Sequence, residues 1–164
     1  MQNKDHTRSL AISSILAALI FVFTAFLSFR LTTTSAYMHL GDAIIYCAGL
    51  LISAPWAAGT AAVGSLFADL ILGAAEYIPA TIIIKGLMGF LCAVMMKKAG
   101  FSRFLITCII AGAIMFLGYA LYEVLLGGWG RAYGGLVQNL IQWVAGVAAA
   151  AVLYYPVKRI KGAI

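Results

Sequence analysis

Long apolar runs separated by short polar interruptions dominate the chain, and their lengths predict membrane-spanning helices. The first run, 10–29, is about twenty residues long, which matches the roughly 30 Å hydrocarbon core of a bilayer at 1.5 Å per helical residue. It is too long for the 7–15-residue core of a cleaved leader, so it is read as a span. The predicted helices cover 9–29, from 37–42 to 53, 56–74, 79–96, 104–126 and 136–155. A polar tail over 1–8 precedes the first, and a Thr/Ser-rich loop over 30–36 follows it. Ala54-Pro55-Trp56 marks a tight turn, because proline is disfavoured within a helix and accepted in its first turn. Glu76 to Pro79 and the basic stretch 97–103 are short loops. Residues 127–135, five of the nine being glycine, form a mobile connection, and Pro156 ends the last helix. The expectation is an all-α membrane protein: one domain over residues 1–164, with six transmembrane helices.

Composition agrees with that reading. The 164 residues are 64% hydrophobic and 10% charged, with a mean hydropathy of +1.03. A soluble domain carries about a quarter charged residues, so this chain lacks the polar residues to cover a water-facing surface. The net charge of +6 does not signal nucleic acid, because the basic residues fall in short groups at the ends of apolar runs. With six helices, Lys4, Arg8, Lys97, Lys98, Arg103, Lys158, Arg159 and Lys161 share one side, while Arg30 and Arg131 lie on the other. The positive-inside rule then puts both termini in the cytoplasm. Cys47, Cys92 and Cys108 lie inside apolar runs without paired spacing, as small buried hydrophobes rather than disulfides or metal ligands.

Within this frame the ionisable and amide residues stand out, since a charge at mid-bilayer costs about 2.5–3.5 kcal/mol even on lenient scales. His39 and Asp42 open the second helix, and Asp69 lies one turn inside the outer end of the third. Glu76 and Tyr77 occupy the outer loop, with Lys85 about two turns below. Tyr119, Tyr122 and Glu123 approach the outer end of the fifth helix; Gln138, Asn139, Gln142 and Trp143 occupy the outer half of the sixth. The inner halves hold little beyond Ser, Thr and Cys, so the embedded polarity gathers toward the outside, as a cavity open to the exterior requires. Plainer roles exist for each residue: an Asp69–Lys85 pair between helices, Asp42 on a helix dipole, Gln138 and Gln142 as interhelical contacts, interfacial aromatics. Small residues form a second pattern. Ser13 with Ala17, and Ser14 with Ala18, give the first helix a close-approach face suited to docking another membrane protein.

The sequence has no glycine-lysine phosphate loop, no His-Glu-x-x-His and no Gly-x-Ser-x-Gly, and one of its two histidines is in the tail. No catalytic residue, metal site or cofactor is expected. The pattern is that of a binder driven by an external energy source.

A six-helix chain of this size, with His39-Leu40-Gly41-Asp42 after the first loop and Lys85-Gly86 within Pro79 to Gly89, resembles the substrate-binding S components of energy-coupling factor (ECF) vitamin transporters. The resemblance implies a capture subunit in a prokaryotic plasma membrane, partnered by a membrane coupling protein and two cytoplasmic ATPases. It places substrate near the outer face, under the first loop and among helices 4 to 6, with inward release after the bundle topples. The family's Ala-x-x-x-Ala docking motif is represented only by Ser13-x-x-x-Ala17 and Ser14-x-x-x-Ala18. The expected site comprises His39, Asp42, Glu76, Tyr77, Lys85, Tyr119, Glu123, Gln138, Asn139 and Trp143. Aromatic faces, amides and carboxylates with few cations suit a small planar heterocycle. Hydroxymethylpyrimidine or a B6 vitamer is favoured, riboflavin is next, and pantothenate and folate come after. The alternatives are an assembly subunit of a membrane complex with no ligand and an intramembrane enzyme using Asp42, Asp69 or Glu123.

Overall fold

The computed structural model describes residues 2–29, 37–96 and 100–163, with side chains over 6–29, 37–96 and 100–162. The expected 30–36 loop, Arg30 and the Lys97-Lys98 pair lie outside the described residues. Helix α1 (Gln2–Ala25) is followed by β1 (Ser28–Phe29), β2 (Met38–His39), α2 (Gly41–Leu51) and α3 (Ala54–Ile71). A single 3₁₀ turn (Ala75–Tyr77) leads into α4 (Ile78–Met95), and α5 (Phe101–Ala163) completes the chain. Gly127 and Gly128 leave helical geometry and divide α5 into two arms, 101–126 and 129–163. Contacts of Phe104 with Tyr154, Phe116 with Trp143 and Glu123 with Gly135 run in opposite sequence directions, so the arms form an antiparallel hairpin.

Four of these helices are long and apolar enough to cross a membrane, the last being the broken α5, and α2 is a shorter apolar helix. Their outer faces fit a lipid solvent. Ile71, Ile83, Leu117, Leu121, Leu125 and Val152 are all more than 60% exposed, a display of large aliphatics that water would penalise. The fold is all-α and of the membrane type.

Packing depends on small residues at close helix crossings. A Cβ on Gly64 of α3 would meet Ala17 O of α1 at 2.6 Å, and one on Gly49 of α2 would meet Cys92 Cβ of α4 at 2.6 Å. Without a hydrophobic drive between helices in lipid, such close backbone approach supplies the van der Waals contact. α3 packs most extensively on α4 and next on α1, while α2 is wedged among α5, α4 and α1. Residues 41–50 of α2 are all buried, which makes this short helix the centre of the bundle.

Several boundaries differ from expectation. α1 takes in most of the 1–8 tail and stops at Ala25 rather than residue 29. Residues 28–29 instead pair antiparallel with β2, Ser28 opposite His39 and Phe29 opposite Met38. Those partners lie nine and eleven residues downstream, beyond the reach of apolar periodicity. The glycine-rich stretch is not a loop over 127–135, since only Gly127 and Gly128 break the helix. Gly128 has φ +74°, the left-handed region that side chains resist, so the turn is confined to where glycine is required. Beyond it the backbone groups satisfy one another within the helix, which outweighs weak glycine propensity in an apolar medium. Pro156 does not end the final helix. It removes one backbone donor, and the helix continues to Ala163.

Candidate functional site

The 3₁₀ turn, the break in α5 and the β1–β2 hairpin cluster at one end of the bundle, and the buried polar side chains gather beneath them. A cavity there is lined by Tyr37, His39, Asp69, Tyr77, Thr81, Tyr119, Glu123, Asn139 and Gln142. Its interior is about 20 Å³, room for one water molecule. Tyr37 reaches down from the residue before β2 and donates its hydroxyl to Asp69 Oδ1, tying the hairpin to α3.

On the α4–α5 side, Tyr77 donates to Glu123 Oε1 at 3.2 Å, and Thr81 Oγ1 and Tyr119 OH share a 2.9 Å hydrogen bond. The rings of Tyr77 and Tyr119 lie 6.1 Å apart, forming one aromatic wall. Glu123 lies directly against the backbone of Gly135, where any side chain would collide with its carboxylate. Above the cavity, Arg131 donates to Glu76 Oε1 and lies over the Tyr77 ring, 5.6 Å from its centroid. Tyr122 donates to the Glu76 carbonyl.

Beneath the cavity lies a buried ionic network. Lys85 Nζ is 2.6 Å from Asp42 Oδ1, and Gln142 Nε2 donates to Asp42 Oδ2 at 2.7 Å. Lys85 also lies 5.4 Å from the Tyr119 ring centroid. The lysine is thus ion-paired with Asp42 rather than with Asp69, the partner suggested by depth along the sequence. Both charges are almost fully buried, at 1% and 0% exposure, which is tolerable because each oxygen of the carboxylate has a donor.

His39 anchors the hairpin from below. Its Nδ1 accepts the Gly41 N–H at 3.1 Å and faces Thr24 Oγ1 at 3.4 Å, so the neutral ring carries its proton on Nε2. Burial, aided by the nearby Lys85 charge and opposed by Asp42, lowers its pKa from 6.5 to about 3. The sign follows: the unfolded state takes up a proton near pH 6.5 that the folded state refuses until about pH 3. His39 therefore supports the fold fully above pH 6.5 and loses that contribution as pH falls toward 3, by up to about 1.4 kcal/mol per pH unit. Melting in detergent from pH 7 to 5 is expected to drop more steeply for wild type than for His39→Asn, which keeps an acceptor but no titratable ring.

Of the expected site residues, the structure brings His39, Tyr77, Tyr119, Glu123 and Asn139 to the cavity wall. Asp42 and Lys85 form the ionic network beneath it, and Glu76 sits at its rim. Gln138 is fully buried but does not line the cavity. Trp143 packs into the space above Gly112 and against Phe116, away from the cavity. Four wall residues were absent from the expected set: Tyr37, Asp69, Thr81 and Gln142. Asp69 and Gln142 carried a signal, as polar groups embedded in apolar runs. Thr81 and Tyr37 carried none that spacing could reveal. On the docking face, Ser14, Ala17 and Ala18 line an open groove with Phe21, Val63 and Gly64. Ser13 instead points inward and is buried.

An all-α bundle with lipid-facing flanks and a polar cavity near one end defines a membrane-embedded binding protein. The comparisons narrow this class. Residues 4–159 match the family model "ECF-type riboflavin transporter, S component". The chain is 30% identical over 154 residues to the thiamine precursor transporter HmpT of Lactococcus lactis subsp. cremoris (strain MG1363), covering 93% of this chain and 89% of that one. It also shares its fold with a crystal structure of FolT bound with folic acid, at a TM-score of 0.71 and 20% identity, covering 93% and 94% of the two chains. The protein belongs to the ECF-type transporter S component family, and its work is vitamin uptake through a multi-pass membrane protein rather than catalysis.

Proposed function

We propose that the chain captures a small planar vitamin or vitamin precursor in this cavity, with hydroxymethylpyrimidine or a B6 vitamer favoured and riboflavin next. The observation that carries this reading is the cavity wall of aromatic rings, carboxylates and amides at one end of a largely apolar bundle. The thiamine-precursor assignment of a 30%-identical relative supports a pyrimidine. Ligand pockets of this kind occupy about 300 Å³ or more, so loading requires the cavity to widen.

The whole chain, 1–164, acts as one six-span unit in a prokaryotic plasma membrane, with both termini cytoplasmic and the cavity facing out. Arg8 near the start and Lys161 near the end line one groove with Ser53 of the α2–α3 turn, which supports a shared side for the termini. The α1–α3 groove, with Ser14, Ala17 and Ala18, docks the membrane coupling protein, and Ser13 packs behind it. Two cytoplasmic ATPase subunits drive inward release. Calorimetry on the purified protein with hydroxymethylpyrimidine, pyridoxine, thiamine and riboflavin is expected to show submicromolar binding of one of them. Silence with all four would overturn the reading.

A further inference from the structure

Three buried polar atoms at the cavity have no hydrogen-bond partner among the described residues: Asp69 Oδ2, Glu123 Oε2 and Asn139 Nδ2. Their residues are 2%, 1% and 4% exposed, so only a water or ligand held in the cavity can satisfy them. An unmet buried donor or acceptor costs about 1–3 kcal/mol, and more when charged. A cluster of three in one cavity marks the positions where a ligand completes the bonding.

The chemistry of the three atoms is specific. Glu123 Oε2 is an acceptor, its other oxygen already taken by Tyr77. Asn139, on the facing arm of α5, lies close enough for its amide to interact with that carboxylate, yet neither Asn139 Nδ2 nor Glu123 Oε2 closes a hydrogen bond of normal geometry. Acceptor and donor side by side complement a ligand edge with an N–H donor next to a lone pair. Asp69 Oδ2, on the α3 wall, is a further acceptor: Tyr37 holds Oδ1, and the Thr81 hydroxyl lies near the carboxylate without closing a hydrogen bond of normal geometry to Oδ2. Charge points the same way. Lys85 is committed to Asp42 and Arg131 to Glu76, leaving no cation in ion-pair contact with Asp69 or Glu123 among the described residues.

We propose that the cavity selects its ligand by an amidine-type edge, an amino group beside a ring nitrogen. The amine donates to Glu123 Oε2, the ring nitrogen accepts from Asn139 Nδ2, and a second donor such as a hydroxymethyl group meets Asp69 Oδ2. This rests on the capture reading above and goes further, because it separates an aminopyrimidine from pyridoxine, which has no amine beside its ring nitrogen. It also disfavours anionic ligands, whose charge would face two carboxylates without a free cation.

The test compares calorimetric affinities of wild type for hydroxymethylpyrimidine, its analogue lacking the amino group, and pyridoxine, with Glu123→Leu and Asn139→Leu run alongside. Losing a hydrogen bond to a charged group corresponds to roughly 10- to 100-fold in affinity. The analogue is expected to bind weaker by about that factor, and so is the parent compound on either variant. Gel filtration and melting establish that the variants fold, and the ligand-side comparison on wild type needs no variant at all. Equal binding of the parent and the amine-free analogue, or tighter binding of pyridoxine, overturns the amidine assignment and leaves capture intact. Absence of binding by all four vitamins tested above overturns both.

Discussion

Lys85→Met is expected to cost about 3–5 kcal/mol of stability. Lys85 is 1% exposed and its ammonium faces Asp42 Oδ1 at 2.6 Å, while Asp42 itself is 0% exposed. Removing the cation leaves a carboxylate inside the bundle with only Gln142, among the described residues, donating to it. Methionine fills nearly the same volume, so the loss reports on charge rather than on a cavity. Adding Asp42→Asn to Lys85→Met removes the stranded charge and should restore much of the stability, because a buried pair replaced at both ends is often near neutral. Thermal denaturation in detergent, compared across the two single variants and the double, gives the coupling directly. If Lys85→Met melts like wild type, the buried pair does not hold the bundle together. An assembly subunit without a ligand would show this loss of stability and no vitamin binding to lose, which separates it from the capture reading.

Gly89→Ala should be nearly as severe for a different reason. A Cβ there would lie 2.9 Å from the Ala57 carbonyl carbon and 3.0 Å from Ala61 Cβ, with the Ala57 carbonyl oxygen closer still. The obstacle is backbone, which cannot swing aside as a side chain can. α3 and α4 form the most extensive helix pair in the molecule, so the added methyl must push that whole contact apart. Overpacking typically costs 1–3 kcal/mol, and a rigid backbone neighbour places this case at about 3 kcal/mol or beyond. Gly59→Ala on α3 provides the control, since nothing lies within 4 Å of its added Cβ. Helix propensity favours alanine over glycine by about 1 kcal/mol, so Gly59→Ala should be neutral or slightly stabilising. Equal melting of the two variants would contradict the close crossing.

Much of the fold was readable from run lengths alone. A segment that must bury every backbone group in hydrocarbon has few options, so apolar stretches bounded by Pro55 and Pro79 mark helices reliably. The cavity was half readable. Glu123, Asn139, Tyr77 and Tyr119 announce themselves as polar or amphipathic groups near the ends of spans, and the cost of burying them makes their presence informative. Thr81 and Tyr37 do not, since a threonine in an apolar helix or a tyrosine near an interface is common in any membrane protein. Trp143 is expected at the cavity as an aromatic face in the outer half of its helix. Yet the space over Gly112, on another arm, draws the indole elsewhere.

Residue composition and the spacing of charges were enough to establish a helical membrane protein with polarity concentrated near one end, because those properties depend on each segment's own transfer energy. Which carboxylate holds Lys85, which oxygens are left unspent, and where β1 finds its partner depend on contacts between segments as much as a hundred residues apart, such as Asp42 with Gln142. Pairing at that range is settled by distance and direction in the packed bundle, and a linear pattern carries neither.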